Sequence, residues 1–246
     1  MRVSERFATI LFFAAAAAAR FFERKNNLDA SGLPLGGIPY FAVVLAAAGV
    51  VFLIMVRKLP ERDAVTVGFG KIFRFEDQFV LTAGVGGAFM LLASAALRIA
   101  EGGVAGLNLL LAGFLGISGA AFLCVLVALR RTGRLEPLLL LVPVCYLVVQ
   151  LIMTYRMNAR DSVLLHFYVE ILAIAALCLA ALYLAAFAFR SGSPRSFFLA
   201  SHMALVLLAG CCVDMLLERQ IAALVSCVGA LMLLCTFLEA AGDFEG

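Results

Sequence analysis

The sequence predicts an all-α fold, a polytopic integral membrane bundle of about eight transmembrane helices, on three observations. Of 246 residues, 65% are hydrophobic and only 14% charged, with a mean hydropathy of +1.08. Apolar runs of about 17 residues or more recur along the chain, each long enough to cross a hydrocarbon core about 30 Å thick. The charges gather in the short segments between these runs. A soluble domain carries about 25% charged residues, so a soluble enzyme is excluded. No water reaches a bilayer core, so each span must satisfy its own backbone hydrogen bonds, and the runs are too long for barrel strands.

The spans are expected at 7–22, 38–56, 79–97, 104–129, 136–154, 163–189, 197–213 and 221–238, in one transmembrane domain covering 1–246. The first begins after Arg2 and Arg6 and ends in small residues at Ala17 and Ala19, imitating a cleavable secretory signal. Arg20, followed by Phe21 and Phe22, favours retention, because an arginine near a helix end can reach the interface while its stem stays apolar. The second and fifth spans open at Pro39 and Pro137, where a missing N–H is harmless. Pro143, a turn deeper, is expected to kink the fifth. In the fourth, Ala112, Gly116 and Ala120 recur every four residues beside Gly113 and Gly119, while Gly84, Gly86 and Gly87 thin the third. Helices in lipid associate by close packing at small residues, so these two spans are expected to form a tight hairpin. The longest loop, 57–78, mixes Phe69, Ile72, Phe73 and Phe75 with charges. It is expected to lie at the membrane interface as a connector, or as a partner-binding or lipid-sensing segment. No internal repeat is visible.

Basic residues near helix ends are retained on the cytoplasmic side. With the N-terminus inside, twelve lysines and arginines fall on the cytoplasmic side and seven on the other, so both termini are expected in the cytoplasm. Reporter fusions after Arg131 and Gly246 should therefore report cytoplasm, and one after Asn158 the exterior. A C-terminus reporting from outside would overturn this orientation.

No cofactor or metal site is expected. The seven cysteines all fall in apolar runs and none has ligand spacing, so they read as small packing residues. The only lysines are Lys25, Lys58 and Lys71, all in loops, which excludes a retinal Schiff base. No phosphate-binding loop or zinc-protease motif appears, and a net charge of +3, scattered over loops, gives no nucleic-acid surface. The expected partners are the lipid bilayer and a membrane-protein partner or second copy.

Within the spans the only His, Asp, Glu, Lys or Arg side chains are Arg20, His166, Glu170 and His202. An acid at mid-helix costs on the order of 2.5–3.5 kcal/mol, so it turns to the bundle interior and finds a partner. Glu170 lies about 10 Å below the outer boundary at 1.5 Å per residue, with His166 one turn above on the same face and Ala173 and Ala180 continuing it. Its expected partners are arginines: Arg156 and Arg160 in the preceding loop, beside Asp161, or Arg98 and Arg20 at the outer ends of the third and first spans. The cluster reads either as an ion pair that fixes helix rotation or as a ligand site. His202, toward the inner side, reads as a hydrogen-bonded structural histidine.

Gly116, Ser118 and Gly119 match the GxSG of rhomboid intramembrane proteases. The histidines lie at other depths, and Leu205 and Ala209 stand where that family's second motif has glycines, so packing is the better reading. Separately, Tyr155-Arg156, Arg160-Asp161, Tyr168 to Glu170, Leu179-Ala180, Tyr183 and Ala186 to Phe189 resemble a recurrent pattern in uncharacterised bacterial multi-pass membrane proteins. The resemblance implies a bacterial plasma-membrane location and no activity. The expected function is a non-enzymatic one, a permease-like carrier or a subunit of a membrane complex. The alternatives are a binding or sensor protein for an anionic lipid or solute, and an intramembrane hydrolase.

Overall fold

In a computed structural model, residues 3–26, 39–57, 69–73, 75, 77–102, 106–131, 136–158 and 164–241 are described, and all regular structure among them is helical. The helices are α1 (Val3–Asn26), α2 (Tyr40–Arg57), α3 (Phe69–Ile72), α4 (Gln78–Gly102), α5 (Gly106–Arg131), α6 (Pro137–Asn158), α7 (Leu164–Ala188), α8 (Pro194–Leu217) and α9 (Ile221–Ala240). Seven of them, α2 and α4 to α9, are long and apolar enough to cross a membrane. Helix α1 is also long, but charges at both of its ends dilute its hydropathy.

Local chemistry sets the ends. Asp77 caps α4, its Oδ1 accepting from the N–H of Phe79 at 2.8 Å. Helix α8 starts at Pro194, three residues before its predicted span, behind Ser193, whose side chain accepts from the N–H of Ser196 at 3.4 Å. Arginines close α7 and α8. Arg190 and Arg219 both sit at φ 58°, and Ser191 N–H to Ala186 O at 3.0 Å and Gln220 N–H to Met215 O at 2.9 Å complete two left-handed C-terminal turns.

Helices α4 to α9 form a closed ring in chain order, each packing on the next and α9 returning to α4. Helix α8 is also covered on its far side by α1 and α2, making it the most buried of the seven. The division is thus two helices against a ring of six. Arg6 Nη2 meets Glu239 Oε2 at 2.6 Å, so the N-terminal end of α1 and the C-terminal end of α9 share one face.

The expected α4–α5 hairpin forms, but the glycines of α4 serve another partner. A Cβ on Gly87 would stand 2.8 Å from the carbonyl oxygen of Gly229, and one on Gly229 would stand 2.8 Å from that of Gly87. Gly86 faces Met232, and Gly84 faces Thr236 together with Leu126. The closest crossing is therefore α4 with α9. On α5, Gly119 touches Ala88, Leu91 and Leu92, and Gly116 meets Ala95, while Gly113 has nothing within 4 Å.

Phe69, Ile72 and Phe73, from the loop expected at 57–78, are buried against the ends of the ring helices. Three more phenylalanines, Phe187, Phe197 and Phe237, receive Phe73 there in edge-on contacts.

Candidate functional site

The ring encloses a chamber of about 110 Å3, lined by all six of its helices. Antiparallel alternation brings the C-terminal ends of α4 and α6 beside the N-terminal ends of α7 and α9. That face gathers the chamber's polar groups: Arg98 from α4, Tyr146 and Gln150 from α6, Glu170 from α7 and Ser226 from α9. Ser226 spends its hydroxyl locally, donating to Ala223 O at 2.7 Å. The side chains of Arg98, Tyr146, Gln150 and Glu170 have no hydrogen bond or ion pair with any of the described residues. Arg98 is within electrostatic reach of both Glu170 and Tyr146. Below this group the wall is apolar and includes Ala173, Ala180 and Leu184, so the face of α7 that carries Glu170 does turn inward.

An aromatic cap closes the opposite end. Phe122, Phe197 and Phe237 line the chamber. Phe73, the residue after α3, packs edge-on against Phe197 and Phe237 at 5.8 Å and against Phe187 at 5.5 Å. Phe69 stacks behind it at 4.5 Å. The turn between α7 and α8 accommodates this cap only through a glycine, because a Cβ on Gly192 would stand 2.4 Å from the Phe187 ring. Phe73 is 1% exposed.

A second polar assembly lies outside the ring, between α1 and α8. Arg20 is 1% exposed and its Nε donates to both oxygens of Asp214 at 3.0 Å, while Nη2 approaches Oδ2 at 2.9 Å. Its Nη1 reaches Glu23 at 3.3 Å and the Tyr168 hydroxyl at 3.5 Å, and the guanidinium lies over the Tyr168 ring at 5.4 Å. Arg24 adds a contact to Asp214 at 3.1 Å and a close ion pair with Glu218, which also accepts from Gln220 at 2.9 Å. The acid engaged by Arg20 is thus Asp214, not Glu170. The sequence reading passed over Asp214 because its span stopped at residue 213, whereas α8 continues to Leu217. The Ser193-Pro194 cap, which starts the helix early, was the available signal.

Of the other candidates, Arg156 sits exposed near the end of α6 and forms no ion pair with Glu170. Arg160 and Asp161 lie outside the described residues, as does the side chain of His166. His202 is buried, stacked between Phe52 and Phe198, and its Nδ1 is 2.6 Å from Phe198 O. A carbonyl only accepts, so Nδ1 carries the proton and the ring is a structural donor. Ser118 donates to Phe114 O at 2.8 Å, one turn back in its own helix. With His202 against α2 and Ser118 in the ring, no serine–histidine pair forms among the described residues. Ser118→Ala should shift thermal stability by less than about 1 kcal/mol. Loss of a peptide-hydrolysing activity in that variant, with folding intact, would restore the nucleophile.

No protein family, curated protein or solved structure matches the chain. Function must therefore be read from the chamber. Among the described residues no group of three or more histidine, cysteine or acidic side chains could hold a metal ion, and the cysteines are free, with Cys211 and Cys227 on the chamber wall.

Proposed function

We propose that the protein is a permease-like carrier of a bacterial plasma membrane, that it crosses the bilayer eight times with both termini in the cytoplasm, and that the ring chamber is its substrate site. The carrying observation is the chamber itself, which opposite charges from different helices, Arg98 and Glu170, line without hydrogen-bond or ion-pair partners among the described residues. A structural ion pair would be closed and packed, because uncompensated charge in a low-dielectric interior is costly. Charges left open toward a cavity mark a place where a solute completes the pairing. The aromatic cap supports a carrier over a channel, since one end is polar and the other sealed, as a state reached from one side requires.

Thiol accessibility tests this without knowledge of the substrate. In a cysteine-free background reconstituted in vesicles, Ala173→Cys should react with an impermeant maleimide from the outer face. Leu184→Cys should react slowly from the cytoplasmic face, and several-fold faster when Phe73→Ala removes the cap. Reaction of both positions from the outer face alone would favour a binding or sensor protein over a carrier. Reaction of neither position from either face would overturn the chamber as a site.

A further inference from the structure

We propose that Cys212 and Met215 of α8 and Cys227 of α9 form a three-sulfur site for a soft monovalent metal ion, copper(I) by its chemistry. None of the three ligands is a residue on which the carrier reading rests, so either proposal can fail without the other.

The fold brings the three sulfurs together. Side chains three residues apart share a helix face, so Cys212 and Met215 point to the same side of α8. Only residues 218–220 separate α8 from α9, which packs back along it and carries Cys227 to that side. The Cys227 thiol donates to the Met215 sulfur at 3.4 Å, and Cys212 and Cys227 share a side-chain hydrogen bond. Cys227 thus touches both sulfurs of α8. Thiols and thioethers are weak hydrogen-bond partners, and alanine or leucine would serve apolar packing as well. Sulfur at all three positions adds the capacity to ligate. The spacing along the chain conceals this, because the ligands come from two helices and one of them is a methionine.

The donor set selects the ion. Thiolate and thioether ligands favour copper(I), which is content with two or three of them. Zinc takes four ligands in a tetrahedron, and among the described residues no further histidine, cysteine or acid completes a group with these two thiols. Cys211 is adjacent to Cys212 in the chain, and neighbours on a helix do not share a face. Sulfurs bonded at about 2.3 Å to one three-coordinate ion stand about 4 Å apart. The 3.4 Å between Cys227 and Met215 therefore opens only slightly, a shift that the flexible methionine side chain can absorb. Met215 and Cys227 both line the chamber, which gives the ion an approach. Binding is ligand exchange with no change of oxidation state. Two S–H groups release their protons to water, and the two thiolates and the thioether take the ion. The complex keeps one negative charge, and Arg98 supplies a positive one on the same chamber.

The test uses the full chain in detergent, reduced and desalted without oxygen, and titrated with copper(I) held by a coloured bicinchoninate complex. The expected result is withdrawal of one copper per chain from the chelator, with no uptake of zinc(II) at the same concentration. Even a group that only orients a ligand is worth about 10–100-fold in metal affinity, so Cys212→Ser and Cys227→Ser should each weaken binding by about 100-fold, and Met215→Leu, which conserves volume, by about tenfold. Cys124→Ser, at an exposed position on α5, should bind as the unaltered protein does. Every variant is checked for a monodisperse elution. A second measurement needs no variant: copper(I) should protect Cys212 and Cys227 from maleimide, read by peptide mass, and leave Cys124 reactive. No copper uptake would overturn the site. Uptake without protection of those two cysteines, or weakened equally by Cys124→Ser, would assign the copper to scattered thiols and overturn it too. Zinc bound as tightly as copper would overturn the soft monovalent ion.

Discussion

Replacing Gly87 with leucine is expected to abolish recovery of a monodisperse protein, and even Gly87→Ala should lower stability by about 1–3 kcal/mol, the usual cost of overpacking. Gly87 and Gly229 face each other so closely that each carbonyl oxygen lies 2.8 Å from where the other's Cβ would be. Backbone, not a flexible side chain, blocks the added methyl. The helices α4 and α9 would have to separate, and that contact closes the ring around the chamber. Gly113→Ala is the control: its Cβ would meet nothing within 4 Å, and alanine is the better helix former by about 1 kcal/mol. Thermal midpoints from size-exclusion recovery after heating check both. A Gly87→Ala protein as stable as the unaltered chain would show that the crossing is looser than drawn.

The same contact marks how far the sequence can be read. Each apolar run became a helix, because run length against bilayer thickness admits little else. Which residues share a helix face was also legible. Glu170, Ala173 and Ala180 lie on one side of α7, and that side lines the chamber. Which neighbour a face meets was not legible. Gly84, Gly86 and Gly87 announced a packing surface, but adjacency in the chain pointed to α5, and the ring instead turns most of that surface toward α9. Small-residue spacing carries no label for its partner. On α5 a strict four-residue repeat drifts around a helix of 3.6 residues per turn. The contact with α4 accordingly uses Gly116 and Gly119, while Ala120 is exposed.

The buried charges failed to be read for a different reason. Hydropathy ends a span where charge begins, so an acid in the last turn is assigned to the loop by construction. Asp214 is such a residue, so Arg20 stood with Arg156, Arg160 and Arg98 among the candidate partners of Glu170. The two arginine-closed helix ends were invisible for a related cause. Arg190 and Arg219 adopt the left-handed conformation that glycine usually announces. Nothing in their side chains signals the turn.

The Arg20–Asp214 pair should prove the most expensive polar contact to break. Asp214→Asn alone leaves a guanidinium that is 1% exposed without its main counter-charge, and Arg20→Gln alone leaves Asp214, 17% exposed, near Glu218 and without the closer of its two arginines. Breaking one half of a buried pair costs about 3–5 kcal/mol, more than removing both. The double variant Arg20→Gln with Asp214→Asn is therefore expected to be more stable than the sum of the single changes allows. A coupling energy well above the roughly 0.5 kcal/mol scatter of independent sites should appear in a double-mutant cycle. Glu170 with Arg156 should show no coupling beyond that scatter, since no ion pair joins them. Coupling of Arg20 to Glu170 in place of Asp214 would overturn the assignment. The pair also bears on the fate of α1. Cleavage after Ala19 would leave Arg20 as a new chain end, with no helix before it to press the guanidinium against Asp214, Tyr168 and Phe41. The protein purified from membranes should accordingly retain α1 by intact mass. A mass beginning at Arg20, with the Arg20–Asp214 coupling still present, would show that the clamp forms without the helix that now carries it.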